Sequence, residues 1–299
     1  MSRLAYLPHM ASQAQRLETN VAGDFFVDGT CIDCGTCRWV APASFNRAGE
    51  MSRVYRQPAD ASATRRAEMA LLACPVAAIG TAEHHDLAPA RNAFPDLIDD
   101  GVYHCGYHAE SSYGAASYLI VRPEGNILVD SPRFTGPLVS RIEALGGVAT
   151  LFLTHKDDVA DHARFRAHFG CDRILHADDV TAGTRDIEHP IEGHDPIALD
   201  HDVTLIPVPG HTRGSVCLLY RDRVLFSGDH VAWSPDLEQI YAFRRACWYD
   251  WEALKRSMAR LAEHRFERIL PGHGWPCHFP NGRMAAEMQR CLDWMETVR

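Results

Sequence analysis

The apolar positions fall into short runs of two different periods, which is the primary signal for strands and helices. Phe25-Phe26-Val27 reads as a strand ending at Asp28-Gly29, and Arg53-Val54-Tyr55 as another. Residues 61–73, rich in Ala, Leu, Met and Glu, read as a helix that stops at Cys74-Pro75. Residues 76–79 form a short strand closed by Gly80. The charged, proline-containing stretch 83–99 reads as a linker or domain edge and sets a boundary near residue 85. Beyond it, strand and helix patterns alternate. Residues 117–130 predict a hairpin turning at Pro123-Glu124-Gly125-Asn126. A helix over 138–145 ends at Gly146-Gly147, and the β-branched run 148–154 reads as a buried strand. Residues 203–208 and 216–226 predict further strands, the second broken at Arg221-Asp222-Arg223. A helix over 251–264, a strand over 268–270 and a closing helix over 284–298 complete the pattern. Strands alternating with helices argue a layered domain of both. There is no internal repeat.

Length and composition narrow the class. The 299 residues fit about two domains at roughly 150 residues each. With 46% hydrophobic and 23% charged residues the chain is ordinary globular protein rather than disordered. Acidic residues outnumber basic ones, 39 to 30, and the net charge of -9 gives no general attraction to nucleic acid or anionic lipid. No run approaches the roughly 18 apolar residues of a membrane span. The polar N-terminal stretch lacks the apolar core of a signal peptide. The expectation is a cytoplasmic protein with neither nucleic acid nor membrane as partner. Ten cysteines are many for that compartment, where disulfides rarely persist, so some of them need a metal or redox explanation.

Four cysteines supply it. Cys31-Ile-Asp-Cys34-Gly-Thr-Cys37 has the C-x2-C-x2-C spacing that wraps three thiolates around one face of an iron–sulfur cluster. Cys74-Pro75 supplies the fourth ligand from a distance. The segment resembles a bacterial-type ferredoxin domain over about residues 22–82. In two-cluster ferredoxins a further Cys-Pro follows and serves the other cluster. Here that position is Ala41, still followed by Pro42, and no second triplet precedes Cys74, so one [4Fe-4S] cluster is expected. A zinc ribbon would want two C-x2-C pairs, and Cys74 has no partner at that spacing. Cys105, Cys171, Cys217, Cys247, Cys277 and Cys291 lack metal spacing and read as small buried side chains.

The second part repeats one device: an Asp or His at the end of a strand. These are Asp130, His155, His211 in Val208-Pro-Gly-His, Asp229 in Phe226-Ser-Gly-Asp, and His273 in Leu270-Pro-Gly-His. Strand ends along one sheet edge converge, and the loops there carry function. The constellation resembles the metallo-β-lactamase-fold superfamily over about residues 100–280. The resemblance implies an α+β chain, with a small ferredoxin-like domain (1–85) followed by an αββα sandwich (86–299). It also implies a dinuclear metal centre at one edge of the sandwich. Asp229 would bridge the metals, His211 would serve one and His273 the other, and Asp130 would orient ligands. The usual H-x-H-x-D-H motif is altered to His155-Lys-Asp157-Asp158-Val-Ala-Asp161-His162. Aligned on the family, His155 and Asp157 serve the first metal and Asp161 and His162 the second, with Asp158 as the alternative to Asp157. His162 joins Asp229 and His211 as an expected catalytic residue.

A carboxylate in place of an imidazole makes the site harder and more anionic, which suits iron or manganese; iron is the expected metal, with zinc or manganese as alternatives. Flavodiiron proteins of the same superfamily also carry a carboxylate at this motif position, although theirs is Glu and closer in sequence. His104, Tyr107 and His108 are candidates for the pocket lining. Arg133, Lys156, Arg213 and His230 flank motif residues and would suit an anionic substrate or solvent. The aromatic stretch Trp233, Tyr241, Phe243, Trp248, Tyr249 and Trp251 suits burial or a pocket wall. The expected function is redox chemistry on oxygen, a nitrogen oxide or a small organic substrate. The built-in cluster would supply electrons drawn from an external reductase or ferredoxin, since no Gly-rich dinucleotide motif follows a strand. The alternatives are a thioester, lactone or ester hydrolase with a structural or regulatory cluster domain, and a non-catalytic electron carrier or sensor.

Overall fold

A computed structural model of the protein describes residues 10–298. The first nine residues of the polar N-terminal stretch lie outside it. In the cysteine-bearing part, Phe25–Val27 pairs antiparallel with Ile79–Thr81, and Phe45–Ala48 forms a hairpin with Met51–Val54. The helix Ala61–Ala73 starts on Asp60, whose carboxylate accepts the Ala63 amide at 2.8 Å. It ends at Cys74 because Pro75 forces the preceding residue out of helical geometry. The strand expected at 76–79 begins only at Ile79. The residues before it wrap around Cys74, with Ala77 at φ 51° and the Ala78 amide donating to the sulfur.

The second part is two stacked sheets with helices outside. One sheet has seven strands in the order His189–Ile191, Asp172–His176, Thr150–Phe152, Ile127–Val129, Tyr118–Ile120, Val102–His104 and Asp96–Asp99. The other has six, in the order Ile197–Ala198, Val203–Pro207, Val216–Tyr220, Val224–Gly228, Arg268–Pro271 and Cys277–His278. Alternate side chains of each strand face opposite ways. Ile127, Val129 and Phe152 therefore meet Leu218, Phe226 and Leu270 between the sheets. Leu128 and Leu151 point outward, into the cluster that holds Leu138 and Phe165 of the helices Gly136–Ala144 and His162–Phe169. The helices Trp251–Leu261 and Arg283–Thr297 cover the other sheet through Leu254, Met258, Met288 and Cys291. Among the described residues no helix is long and apolar enough to cross a membrane.

The stretch 83–99 is not a linker. It contains the helix Ala88–Asn92 and the edge strand Asp96–Asp99. Its acidic residues suit an edge, which must not offer an apolar template for pairing. They are also used: Asp96 pairs with Arg66 at 2.6 Å, and Asp99 with Arg223 at 3.3 Å.

The apolar cluster outside the seven-stranded sheet is continuous with the cysteine-bearing part. Phe25, Val40, Met69 and Ala73 share it with Phe94, Tyr107, Leu128 and Leu138. A fragment starting at residue 86 exposes that face. It is expected to lose the cooperative thermal transition of the full chain, as followed by near-UV circular dichroism. A cooperative transition at the full chain's midpoint would contradict the shared core.

Candidate metal centres

The four cysteines meet in one place. Cys31 and Cys34 lie on the loop before the helix Thr36–Val40, Cys37 lies in that helix, and Cys74 follows the helix Ala61–Ala73. All four line a small cavity closed by Val27, Ile32, Val76 and Ile79. Ser52 N donates to Cys31 Sγ at 3.4 Å and Ala78 N to Cys74 Sγ at 3.3 Å. Burial pushes the thiols of Cys34 and Cys37 up and that of Cys74 up to about 12, and neighbouring cysteines add to the rise. Buried thiols crowded in this way ionise only beside a strong positive charge, which the iron of a cluster provides. The cage fits a four-thiolate cluster.

The second centre lies at the strand ends of the sandwich. His155 follows Thr150–Phe152, and His211 and Asp229 lie on the loops after Val203–Pro207 and Val224–Gly228. His273 follows Arg268–Pro271. His211 Nε2 is 3.6 Å from Asp157 Oδ2 and 3.8 Å from Asp229 Oδ2. His155 Nε2 is 4.0 and 3.9 Å from the same two oxygens. These gaps are too long for hydrogen bonds but suit donors that share an ion at about 2 Å each. His155 Nε2, His211 Nε2 and both Asp158 oxygens are buried without a hydrogen-bond partner. Buried polar atoms of this kind call for a partner such as a water or an ion, and here four of them lie in one site.

The surroundings aim these atoms. Thr154 Oγ1 lies 3.0 Å from both Asp130 oxygens and from His155 Nδ1, which leaves His155 Nε2 facing the site. His211 Nδ1 donates to the Ala246 carbonyl, which frees its Nε2. His273 presents Nδ1 to Asp229 Oδ1 at 2.8 Å, and its Nε2 lies 3.3 Å from the Tyr113 carbonyl. Burial drives the His155 imidazole down to about 4 against the pull of nearby carboxylates, so it is neutral, the form that ligates. Burial, with Asp229, Asp130 and Asp157 nearby, pushes the Asp158 carboxyl well above its usual range. Burial would raise Asp229 too, but His273, His155 and His211 hold it below the usual range. A cage of this kind fits metal cations: His155, Asp157 and His211 group together, and Asp158 and Asp229 group with His155.

Two expected ligands are elsewhere. Asp161 and His162 start the helix His162–Phe169. Asp161 Oδ2 accepts the Phe134 amide at 2.7 Å. His162 Nδ1 lies 3.2 Å from Arg173 Nη1, and that buried arginine holds both oxygens of Glu188. The two-residue insertion has moved the Asp-His pair away from the strand end, and Asp158 occupies the buried place beside Asp229. The structure does not bring His162 and Asp161, expected as a catalytic residue and as second-metal ligands, to the site; Asp158 stands there instead.

Other candidates sort cleanly. His104 and His108 form a buried pair, Nε2 to Nε2 at 2.8 Å, behind the site rather than in its lining. Tyr107 packs on Phe94. Arg133 donates to the Leu72 and Cys74 carbonyls, and Arg213 pairs with Asp178 at 3.2 Å. Lys156 is exposed and His230 buried. Among the six remaining cysteines none is in a disulfide.

One buried carboxylate went unnoticed in the sequence. Asp179 accepts from Lys156 N at 3.0 Å, Gly214 N at 2.9 Å and the Thr212 hydroxyl. It ties the loop of His155 to the loop of His211. Its only sequence signal is another Asp just past a strand end, after His176.

The two centres share a cavity of about 1040 Å³, lined by Asp157, His211, Asp229 and His273 on one side and Cys34 and Arg38 on the other. Trp233, Tyr241, Phe243 and Trp248 of the aromatic stretch also line it, whereas Trp251 packs into the core. Gly114 bridges the walls at φ 86°. A Cβ there would lie 3.1 Å from Cys34 Sγ, and the adjacent Tyr113 carbonyl is the partner of His273.

Asp158→Ala is expected to reduce metal affinity by more than the roughly 10- to 100-fold that loss of an orienting group costs, with the cluster's absorption unchanged. His162→Ala should retain the parent's metal content. Equal metal loss in the two variants, by elemental analysis, would contradict the placement. Gly272→Ala probes the same pocket from behind, because a Cβ there would sit 2.7 Å from Asp158 Oδ2 and 2.8 Å from Asp229 Oδ1. Its sandwich metal should drop severalfold, and an unaltered content would refute this packing.

Comparisons with known proteins agree with the geometry. Residues 27–81 match the family described as 4Fe-4S single cluster domain of Ferredoxin I. The sandwich is similar to the metallo-β-lactamase DIM-1 exposed to ceftazidime, at 17% identity and TM-score 0.54, over 68% of this chain and 96% of that one. It is also similar to FIM-1 from Pseudomonas aeruginosa in its mono-zinc form, at 17% identity and TM-score 0.51, over 68% of this chain and 95% of that one. At such identities the likeness speaks for the fold. Two curated relatives, the acyl-coenzyme A thioesterases MBLAC2 of Homo sapiens and Bos taurus, are each 36% identical over 76 residues. That match is 25% of this chain and 26% of the relatives' length. The chain thus joins a single-cluster 4Fe-4S ferredoxin domain to a domain of the metallo-β-lactamase fold.

Proposed function

We propose that the protein is a metal-dependent oxidoreductase whose iron–sulfur domain stores electrons for a reaction in the shared cavity. One observation carries the reading. From the cluster ligand Cys34 the path to the metal-site imidazole of His273 is a packing contact at Gly114, the bonds to the Tyr113 carbonyl, and one hydrogen bond. A cluster with only a structural role has no need to stand against the metal site.

His155, Asp157 and His211, with Asp229, would hold one ion, and Asp158, Asp229 and His273 the other. This set of imidazoles and carboxylates lacks thiolate and is harder than an all-imidazole site, which favours iron, with manganese and zinc as alternatives. Iron there would supply redox change and Lewis acidity. The chain's own groups do the rest. Asp130 and Thr154 fix the His155 ring, Ala246 fixes His211, and Asp179 holds their two loops in register. Electrons would come from an external reductase or ferredoxin. A second reading, a hydrolase with a regulatory cluster, is supported by the thioesterase name of the curated relatives.

Anaerobic reductive titration of the full chain separates the two. The redox reading predicts uptake beyond the single electron of the cluster, with the excess lost in His211→Ala. The hydrolase reading predicts uptake that ends with the cluster, and cleavage of an acyl-coenzyme A thioester with no net consumption of electrons.

A further inference from the structure

The shared cavity is far larger than a diatomic substrate needs. Its roughly 1040 Å³ lies at the upper end of the ~300–1,000 Å³ range of pockets for organic molecules. One wall is aromatic. Trp233, Phe243 and Trp248 line it, and Trp248 is 65% exposed, so its ring is open to a planar ligand in the cavity. The opposite wall comes from the iron–sulfur domain. Arg38 lies there, in the helix Thr36–Val40 between the ligands Cys34 and Cys37. Its side chain is 13% exposed, and it bonds Asp33 through Nη1 at 2.8 Å and the Asp33 carbonyl through Nη2 at 3.2 Å. Those bonds leave other N–H donors of its guanidinium unspent. Arg47 also lines the cavity and shares the same Asp33 at 2.8 Å. Counting side chains alone, two arginines share one aspartate on this wall, so one guanidinium charge is left uncancelled by Asp33, in front of the anionic four-thiolate cage. Across the cavity the acidic groups are the metal-site carboxylates and the exposed Asp236.

We propose that the iron–sulfur domain forms the specificity wall of the substrate pocket. The substrate would be an organic anion with a planar aromatic body. Its acidic group is bound by Arg38, and its rings lie against Trp233, Phe243 and Trp248. The inference rests on the cavity being the reaction site proposed above, and it holds for redox chemistry and hydrolysis alike. It gives the fusion of the two domains a second reason: without the ferredoxin domain the pocket has no cationic wall. Because Arg38 sits between two cluster ligands, an anion bound there also changes the field at the cluster.

The test uses the anaerobic full-length holoprotein and three probes, measured by calorimetry. They are naphthalene-2-sulfonate, its neutral analogue 2-(methylsulfonyl)naphthalene, and methanesulfonate. Sulfonate is chosen as a weak metal ligand. Naphthalene-2-sulfonate should bind one site per chain about tenfold more tightly than the neutral sulfone, the scale of a charge-assisted hydrogen bond. Methanesulfonate should bind far more weakly than either. Arg38→Met should bring the two naphthalenes to within about twofold of each other, and Trp248→Ala should weaken both. The electron paramagnetic resonance spectrum of the reduced cluster should shift on sulfonate binding in the parent and not in Arg38→Met. Should Arg38→Met lose its cluster, Asp33→Asn decides, because it releases both arginines and must increase the preference for sulfonate. Equal affinities in the parent, or a preference untouched by the Arg38 or Asp33 substitution, would overturn the proposal. So would binding at several equivalent sites. Electron uptake that ended with the cluster would refute the redox reading and leave these binding results standing.

Discussion

Asp158 and Asp229 are buried side by side, against a glycine that has no room for a methyl group, and neither Asp158 oxygen has a donor. Two carboxylates in that position repel each other and have lost their water, a state relieved by a shared cation or by protonation of one of them. The imidazoles of His155, His211 and His273 stand around them. Much of the neighbouring structure serves this crowding. Asp130 and Thr154 turn one ring, the Ala246 carbonyl turns another, and Asp179 locks the loops that carry them. The sandwich provides the rigid strand ends from which all of this projects.

The iron–sulfur domain is built into that arrangement rather than appended to it. Its apolar face is part of one core with the outer layer of the seven-stranded sheet. Its Cys34 packs against Gly114, whose neighbour Tyr113 contacts His273, and its Arg38 lines the shared cavity. One small unit holds the cluster cysteines, lines the shared cavity and packs on the sandwich, so none of the three can be altered without pressure on the others.

Much of this was legible in the sequence where the signal was local. The C-x2-C-x2-C spacing and the distant Cys-Pro need no knowledge of the fold, and the missing second triplet announced a single cluster. His211, Asp229 and His273 stood out because each follows a glycine at the end of an apolar run. The altered motif was harder. Its Asp161-His162 pair matches the family's lettering, but two inserted residues place it at the start of a helix, where Arg173 and Glu188 claim His162. Asp158 is distinguished from Asp157 only by burial, which sequence alone does not report. The edge strand Asp96–Asp99 fell in a stretch read as a linker or domain edge, because edge strands and linkers are both charged. The shared cavity was not legible at all, since its walls come from segments about 200 residues apart.

The sandwich is expected to hold two metal ions, one on His155, Asp157 and His211 and one on Asp158 and His273, with Asp229 between them. Anomalous X-ray scattering from anaerobically grown crystals, collected on both sides of the iron and zinc edges, tests it directly. The account predicts two separate peaks at those side chains besides the cluster, with both rising at the iron edge. A peak at His162, or no density at Asp158 in protein whose cluster is intact, would contradict it.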